Sequence, residues 1–365
     1  MDYLGFLLSV QALPLTTQFE GPDAGVIQEA YAHCCAMEAS AGEEKKLFMY
    51  ARVLGYMILE APSTSGSLFI AREIIEWRKN KWDLNLLAEF YVHYIFGAFT
   101  RRRNEFTDER VYYSFEEEDL YGTPDPYPRG ENSARRTVLH RDGFSCKITH
   151  IPDEQCFPLM TPAERKQVLG GRPYHHQDLI LLCSIIPPSI DWNFDLSAYG
   201  FHTTECSKTL GDLLYGFSGI PVATDLSGDM VYDMSNSIAL AYVTREHFNV
   251  LALWLEEVPD KPNTYLAQAY CEGLVDDDPP VITFTTPSNI NIPLPNSKYI
   301  RLHASLARIA HLSGVYRYLD NLPMFVETLD SEGKSGDILM ARLSRAVLSG
   351  CKCVTWIDVD DDDSK

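Results

Sequence analysis

The apolar positions of residues 24–100 recur with the period of an α-helix. Leu47 and Ala51 share one face, and the same spacing continues through the following segments. Short stretches of turn-forming and polar residues interrupt the pattern at 62–66 and 79–83. The pattern therefore predicts an N-terminal layer of three or four helices.

A different pattern marks residues 178–188, where a short apolar run ends in Ile185-Ile186 and two prolines. The run is too short for an ordinary helix and the prolines stop it, so it predicts a buried β-strand. A strand that ends in this way carries its last side chains to a rim, where chemistry is commonly placed. Cys183 and Ser184 occupy that position.

The rest of the pattern predicts a mixture of helices, strands and loops. Leu302, Leu306 and Ile309 share one face of a segment near the end of this region, as a helix requires. The expected elements are a polar loop at 162–174, one or two helices at 196–217, a turn-rich hairpin at 221–233, a strand at 250–258 after a break near residue 249, a strand at 281–285 and a helix at 298–318.

Composition is that of an ordinary globular protein. The chain has 365 residues, 45% of them hydrophobic and 22% charged, enough for about two domains with their own cores. Its 51 acidic and 31 basic residues give a formal net charge of −20. This balance argues against a nucleic-acid coat protein, because phosphate binding needs local Lys and Arg. A bound cation and one basic stripe could still supply a positive field to a nuclease.

The nine cysteines include two close pairs, Cys34-Cys35 and Cys351-x-Cys353, without a second pair at zinc-site spacing. We expect reduced thiols in an intracellular protein, cytoplasmic or nuclear. Residues 3–15 are apolar but short and follow no Lys or Arg. We therefore expect neither a signal peptide nor a membrane span.

Three motifs follow one another in the middle of the chain. The first runs from Arg136 to Thr149 and contains Arg-Asp-Gly and a cysteine, the second is the strand ending Ile185-Ile186-Pro187, and the third is Asn236 with His247 eleven positions later. Together they resemble the HNH endonuclease family, in particular the HNH-domain proteins of basidiomycete fungi.

The resemblance extends over roughly residues 134–320, because the segment 302–314 looks like the C-terminal helix of the same fungal proteins. It implies an α+β fold: an N-terminal helical layer, then an HNH-like ββα-metal domain with a C-terminal helical extension. With an acidic, proline-rich stretch taken as a linker, the expected divisions are a helical region at 1–113, a linker at 114–133, the HNH-like domain at 134–258, an extension packing on it at 259–350 and an acidic tail at 351–365.

The family uses a strand histidine as the general base, a helix histidine as a metal ligand and an asparagine to hold the loop that orients the base. Carried over, His247 would bind a divalent metal (Mg²⁺, Mn²⁺ or Zn²⁺), Asn236 would be the organiser, and Ser184 stands at the base position. A serine hydroxyl does not titrate near neutral pH as an imidazole does. Losing a general base costs roughly 10²- to 10⁴-fold in rate.

Each of these residues also has an ordinary structural interpretation. Asn236 is a good helix N-cap, and His247 could be a histidine on a helix surface. Cys183 is a candidate soft metal ligand, although a buried strand cysteine usually serves core packing. A zinc site made with Cys146 and Cys156 lacks a Cys-x-x-Cys knuckle.

Other groups could replace the missing base or contact a substrate. His176 lies eight residues before Ser184, roughly 26 Å along an extended strand, so a turn would have to fold it back. The remaining candidate bases are His140, His150, His175 and His202. The basic set for a phosphate backbone, with a solvated face as the alternative, is Arg135, Arg136, Arg141 and Lys147.

Two functions follow from the resemblance. The first is a metal-dependent, DNA-binding endonuclease, a hydrolase of phosphodiester bonds, impaired because position 184 is serine. The second is a catalytically inactive pseudonuclease that serves as a binding or interaction module. Nucleic acid is the partner that the first implies, and neither implies a membrane or a small-molecule cofactor.

Overall fold

The computed structural model describes residues 10–100, 115–172, 176–187, 193, 209–270, 280–287 and 291–320. Within these ranges the protein is a mixed α+β structure: helices come first, small antiparallel sheets lie in the middle of the chain, and a long helix follows them. The acidic tail expected at 351–365 lies outside the described residues.

The helices and strands are numbered in chain order. The helices are α1 (Ala24–Ser40), α2 (Lys45–Leu59), α3 (Thr64–Lys79), α4 (Leu84–Tyr91), α5 (Gly97–Phe99), α6 (Glu117–Tyr121), α7 (Glu131–Asp142), α8 (Pro162–Leu169), α9 (Leu210–Ser218), α10 (Val222–Asp225), α11 (Tyr242–Asn249), α12 (Ser297–Ser313) and α13 (Val315–Asp320). The strands are β1 (Ile180–Ser184), β2 (Ser237–Ala241), β3 (Leu253–Glu257), β4 (Thr264–Ala269) and β5 (Val281–Thr283).

Helices α1 to α4 form the N-terminal layer that the apolar spacing predicts. Their buried stripes pack against one another, and the starts of α3 and α4 are capped by Ser63 and Asp83, whose side chains accept backbone N–H groups. A π-helical turn, Val92–Phe96, joins α4 to α5.

An extended arm precedes α1 and is held by hydrogen bonds to α1 and to α12. The backbone N–H of Leu13 donates to Glu38 (3.0 Å) and that of Gln11 donates to the carbonyl of Leu312 in α12 (3.0 Å). The Leu13 side chain is buried against Gly55, where a Cβ would lie 2.5 Å from Leu13 Cδ2. Through these contacts the arm anchors the N-terminal layer to α12.

The two small sheets are antiparallel. Strand β1 pairs with β2, with Ser184 opposite Ser237, and β3, β4 and β5 form a separate sheet in that order. Helix α11 follows β2 directly, and we refer to β1, β2 and α11 as the strand–strand–helix unit. Helix α12 packs on β3 and on α2, so it connects the second sheet to the N-terminal layer.

Several local expectations were wrong. Residues 162–169 form helix α8 rather than a loop, and 221–233 contain α10 and a 3₁₀ turn rather than a hairpin. Asn236 precedes strand β2, not a helix. Helix α6 lies in the acidic stretch interpreted as a linker. The predicted long helix at 298–318 is broken at Gly314, whose φ of 90° ends α12.

No described helix combines the length and apolarity that a bilayer span requires.

Candidate functional site

The end of β1 is held by the residue that starts β2. The Asn236 side chain is fully buried, its Oδ1 accepts the backbone N–H of Ile186 (2.9 Å) and its Nδ2 donates to the Ile186 carbonyl (3.0 Å). The Asn236 carbonyl also accepts the N–H of Ile185 (2.8 Å). These three bonds fix the backbone immediately after Ser184, which is half-buried. A loop-holding asparagine is the role that the resemblance implies for this residue.

The outer edge of β1 is closed by a buried ion pair. Arg135 Nη2 lies 2.8 Å from Asp153 Oδ2, and neither side chain is more than 8% exposed. Arg135 Nε donates to the Ile180 carbonyl (2.8 Å), and the Ile180 N–H donates to Asp153 (3.0 Å). Both backbone groups of Ile180 are thus satisfied without a third strand, which protects a free edge.

The outer edge of β2 is closed by the next arginine–aspartate pair. Asp142 Oδ2 accepts the N–H of Ala239 (2.9 Å), and the N–H of Lys147 donates to the Ala239 carbonyl (2.9 Å). Arg141 pairs with Asp142 at 2.8 Å and donates to the carbonyls of Met234 (2.7 Å) and Ser237 (2.6 Å). The Arg-Asp dipeptide of the first motif therefore holds strand β2 in place.

These bonds correct the use expected for two of the basic residues. Arg135 and Arg141 are 7% and 3% exposed, and their guanidinium groups are occupied inside the protein, so a phosphate backbone does not reach them. Arg136 is more accessible but pairs with Asp119 at 3.2 Å. The Lys147 ammonium lies over the Phe284 ring, 5.5 Å from its centroid, and burial lowers its pKa while Asp142 opposes this effect.

Cys183 faces helix α11. Its side chain is fully buried and its Sγ lies 3.5 Å from Asn249 Oδ1, with the thiol as donor. Burial raises the pKa of this thiol to about 12. In this structure the buried thiol, held against Asn249, is a packing and hydrogen-bonding residue.

His247 lies on the other face of α11. Successive helix residues are rotated by about 100°, so residue 247 is turned by roughly 160° from Asn249 about the helix axis. Its Nδ1 bonds to the carbonyl of Val243, one turn earlier in the same helix (2.7 Å). The structure brings Ser184, Cys183 and Asn236 together at the strand end, and it turns His247 away from them.

A divalent metal does not fit the donors that are present. The described residues contain no group of three His, Cys, Asp or Glu side chains arranged to hold a metal ion. Asn236 is occupied with the backbone of Ile186, Ser184 offers a hydroxyl and Cys183 a buried thiol. His247, the one imidazole among the four residues expected at the site, faces away from them.

Three of the five alternative bases lie in the described residues, and each has its own surroundings. His140 Nε2 lies 2.9 Å from the carbonyl of Asp119. Burial, followed by the charges of Arg172 and Lys147, lowers the pKa of His150 to about 4. His176 is exposed, and His175 and His202 lie outside the described residues.

Two residues that the sequence interpretation missed face the strand end instead. Asn249 bonds Cys183, and Arg245 lies four residues earlier, on the same face of α11. The Arg245 charge is the strongest influence that opposes burial at the Cys183 thiol. The signal available in the sequence was the i, i+4 spacing of the two residues.

Two histidines of α12 fix the orientation of α11 by hydrogen bonds at its C-terminal end. His303 Nε2 bonds the carbonyl of Phe248 (3.0 Å) and His311 Nε2 that of Leu251 (2.7 Å). Leu251 has a left-handed backbone, φ 62°, and the N–H of Ala252 returns to the carbonyl of His247 (2.9 Å). This is a Schellman ending with a buried leucine where glycine is usual, so the neighbouring helix stabilises a strained turn.

Comparison of the chain with protein-family models, curated proteins and solved structures finds no match. The resemblance to the HNH family therefore rests on the motifs themselves, and any function is a proposal.

Proposed function

We propose that the strand–strand–helix unit is an HNH-type module kept as a binding or interaction element, a pseudonuclease that does not hydrolyse phosphodiesters. The observation that carries this proposal is the orientation of α11. It presents Asn249 and Arg245 to the strand end and turns His247 away, while the strand carries Ser184 where the resemblance puts the general base.

The chemistry of the residues supports the same conclusion. Hydrolysis of a phosphodiester needs a positioned water, a base to take its proton and a cation to stabilise the developing charge. Ser184 is not a base at neutral pH, and Cys183 keeps its proton because burial raises its pKa to about 12. The parts that remain, the Asn236 clamp and the two buried arginine–aspartate pairs, are those that hold the unit rigid.

A metal-dependent nuclease is the second candidate, and two observations favour it. Asn236 holds the loop after Ser184 as the resemblance implies. The bond from His247 Nδ1 to a backbone carbonyl leaves Nε2 available, the arrangement common for metal-binding histidines. In this case another group would do the work of the missing base.

A plasmid-nicking assay with Mg²⁺ or Mn²⁺ separates the two candidates. We expect the full chain and its His247→Ala variant to show the same background as buffer. Metal-dependent nicking by the unmodified chain that falls at least tenfold in His247→Ala would instead establish the nuclease.

Restoring imidazoles tests which positions define the module. Ser184→His alone is expected to remain inactive, because no imidazole faces it from α11. Gain of nicking by Ser184→His alone would contradict the assignment of the helix face.

A further inference from the structure

Arg245 occupies the helix face that meets the end of β1. Asn249, one turn further along α11, is tied to Cys183 by the 3.5 Å thiol–amide bond, and residues i and i+4 of a helix lie one above the other. Thr244 and Phe248 on the adjoining face are buried. Arg245 itself is half-buried, so its side chain lies partly inside the protein.

The polar atoms of Arg245 are only partly satisfied. Its Nε is shielded from water and has no hydrogen-bond acceptor in the described structure. A buried donor left without an acceptor has lost its hydrogen bond to water without a replacement, so such a group calls for an explanation. An acceptor supplied by a ligand removes that cost.

Arg245 differs from most other buried or half-buried arginines in its partners. Most of those that are buried or half-buried are paired with carboxylates, as Arg135 is with Asp153, Arg52 with Glu38 and Arg308 with Glu60 and Glu256. Arg165 instead donates to the carbonyls of Phe157 and Pro158. No ion pair joins Arg245 to any carboxylate that the structure describes, although the chain has 51 acidic residues. Glu246 is adjacent in sequence and acts on the Cys183 thiol in the opposite direction to Arg245.

We propose that Arg245 is the main contact of an oxyanion site at the end of β1, and that the ligand is a phosphate group. A guanidinium offers parallel N–H donors that match two phosphate oxygens. Asn249 adds a donor on the same helix face, because its Oδ1 is taken by the Cys183 thiol and its Nδ2 is left for the ligand. The neighbouring thiol is uncharged and does not repel the anion. The site gives the proposed binding module a ligand, and it rests on that proposal.

The phosphate group could belong to a free anion or to a nucleic acid, and two probes distinguish these sources. Inorganic phosphate and a short single-stranded DNA oligonucleotide are titrated separately into the full chain by calorimetry at low salt. Binding of phosphate alone identifies a small-anion site, and binding of both identifies a phosphodiester contact. Either result supports the proposal if it depends on Arg245, and binding of neither probe overturns it.

Dependence on Arg245 is measured with three variants. Arg245→Gln is expected to weaken binding by about 10- to 100-fold, the effect of losing a charge-assisted hydrogen bond, and Arg245→Lys by less, because it keeps the charge. Arg301→Gln removes an exposed arginine paired with Glu257 and should leave the affinity unchanged. Equal affinity of Arg245→Gln and the unmodified chain would overturn the proposal.

The arginine Nε–H resonance gives a readout independent of affinity. In ¹⁵N-labelled protein the signal lost in Arg245→Lys belongs to Arg245, and it should shift on adding phosphate because the shielded Nε gains an acceptor. A resonance that does not move during saturation overturns the site. Failure here leaves the nicking result untouched, so the ligand and the pseudonuclease proposal are judged separately.

Discussion

At the scale of single residues, the two Arg-Asp pairs explain why a two-stranded sheet is stable in this chain. Such a sheet is marginal alone in water, and it exposes unpaired backbone groups on both edges. Arg135 with Asp153 satisfies one edge and Arg141 with Asp142 the other. Charges that suggest phosphate binding in the sequence are instead part of the interior.

Asp153→Asn should destabilise the protein strongly. The change leaves the Arg135 charge buried without a partner, and breaking a buried pair in this way costs about 3–5 kcal/mol. Urea unfolding followed by circular dichroism measures the loss. Asp119→Asn, which breaks the half-exposed pair with Arg136, serves as the control and should cost less than about 1 kcal/mol. Equal losses would mean that burial of the first pair does not matter.

At the scale of elements, the position of α11 depends on α12. The rings of His303 and Phe248 stack 3.9 Å apart, and that of His311 stacks on Tyr270 at 5.0 Å. Both imidazoles donate to carbonyls at or just beyond the end of α11. The α12 helix thereby sets which face of α11 meets β1, and so decides that Arg245 rather than His247 lies at the strand end.

The same two histidines should make stability depend on pH. Burial lowers the pKa of His303 and of His311 to about 4, so between about pH 6.5 and 4 the unfolded chain binds protons that the folded chain does not. Their contribution is fully present above pH 6.5 and is lost as the pH falls towards 4, by up to about 1.4 kcal/mol per pH unit for each histidine. Urea unfolding at pH 7, 5.5 and 4.5 measures this slope. His311→Gln keeps a donor for Leu251 without titrating, and it should flatten the slope; an unchanged slope would refute this account.

Two glycines let α3 and α9 cross closely. A Cβ at Gly66 would lie 2.1 Å from the Phe217 carbonyl oxygen, and one at Gly216 would lie 2.2 Å from the Phe69 ring. Gly66→Ala meets rigid backbone and should destabilise by about 1–3 kcal/mol, the range for overpacking. Gly25→Ala in α1 meets nothing within 4 Å and should be neutral or stabilise by up to about 1 kcal/mol. Thermal unfolding of both variants checks the difference in sign.

At the scale of the whole molecule, the N-terminal layer and the strand–strand–helix unit share one core. Buried apolar side chains form a continuous cluster from Leu13 to Leu319. Arg308 of α12 bonds Glu60 at the end of α2 (2.7 Å) and Glu256 in β3 (2.6 Å). The helices therefore support the unit that carries the candidate site.

This shared core predicts cooperative unfolding. Variants that retain tryptophan only at Trp77, in α3, or only at Trp254, in β3, should report the same urea midpoint by fluorescence, because neither region keeps its core when the other unfolds. Arg308→Met should lower both midpoints together. Separate midpoints for the two probes would show two independently stable units.

The sequence by itself determined the elements whose side chains repeat regularly. The periods of α1, α3 and α4 are visible because one face of each is buried. Helices α2 and α12 are buried on most sides and show as long apolar segments, and β1 is visible as an apolar run ended by prolines. Helix α8 was missed because it buries no residue, although Thr161 and Glu164 form a capping box with Pro162 at its start.

Only the tertiary structure decided what the polar residues do. Arg135, Arg141 and Arg245 are the same residue type in the sequence. Arg135 and Arg141 close the edges of a sheet, whereas Arg245 is paired with no carboxylate that the structure describes. His247 stands at a suggestive spacing from Asn236, but spacing along the chain does not fix how a helix is rotated about its axis. That rotation is set by contacts with α12, more than fifty residues away in the chain. Local sequence patterns do not predict such distant contacts, because they depend only on neighbouring residues.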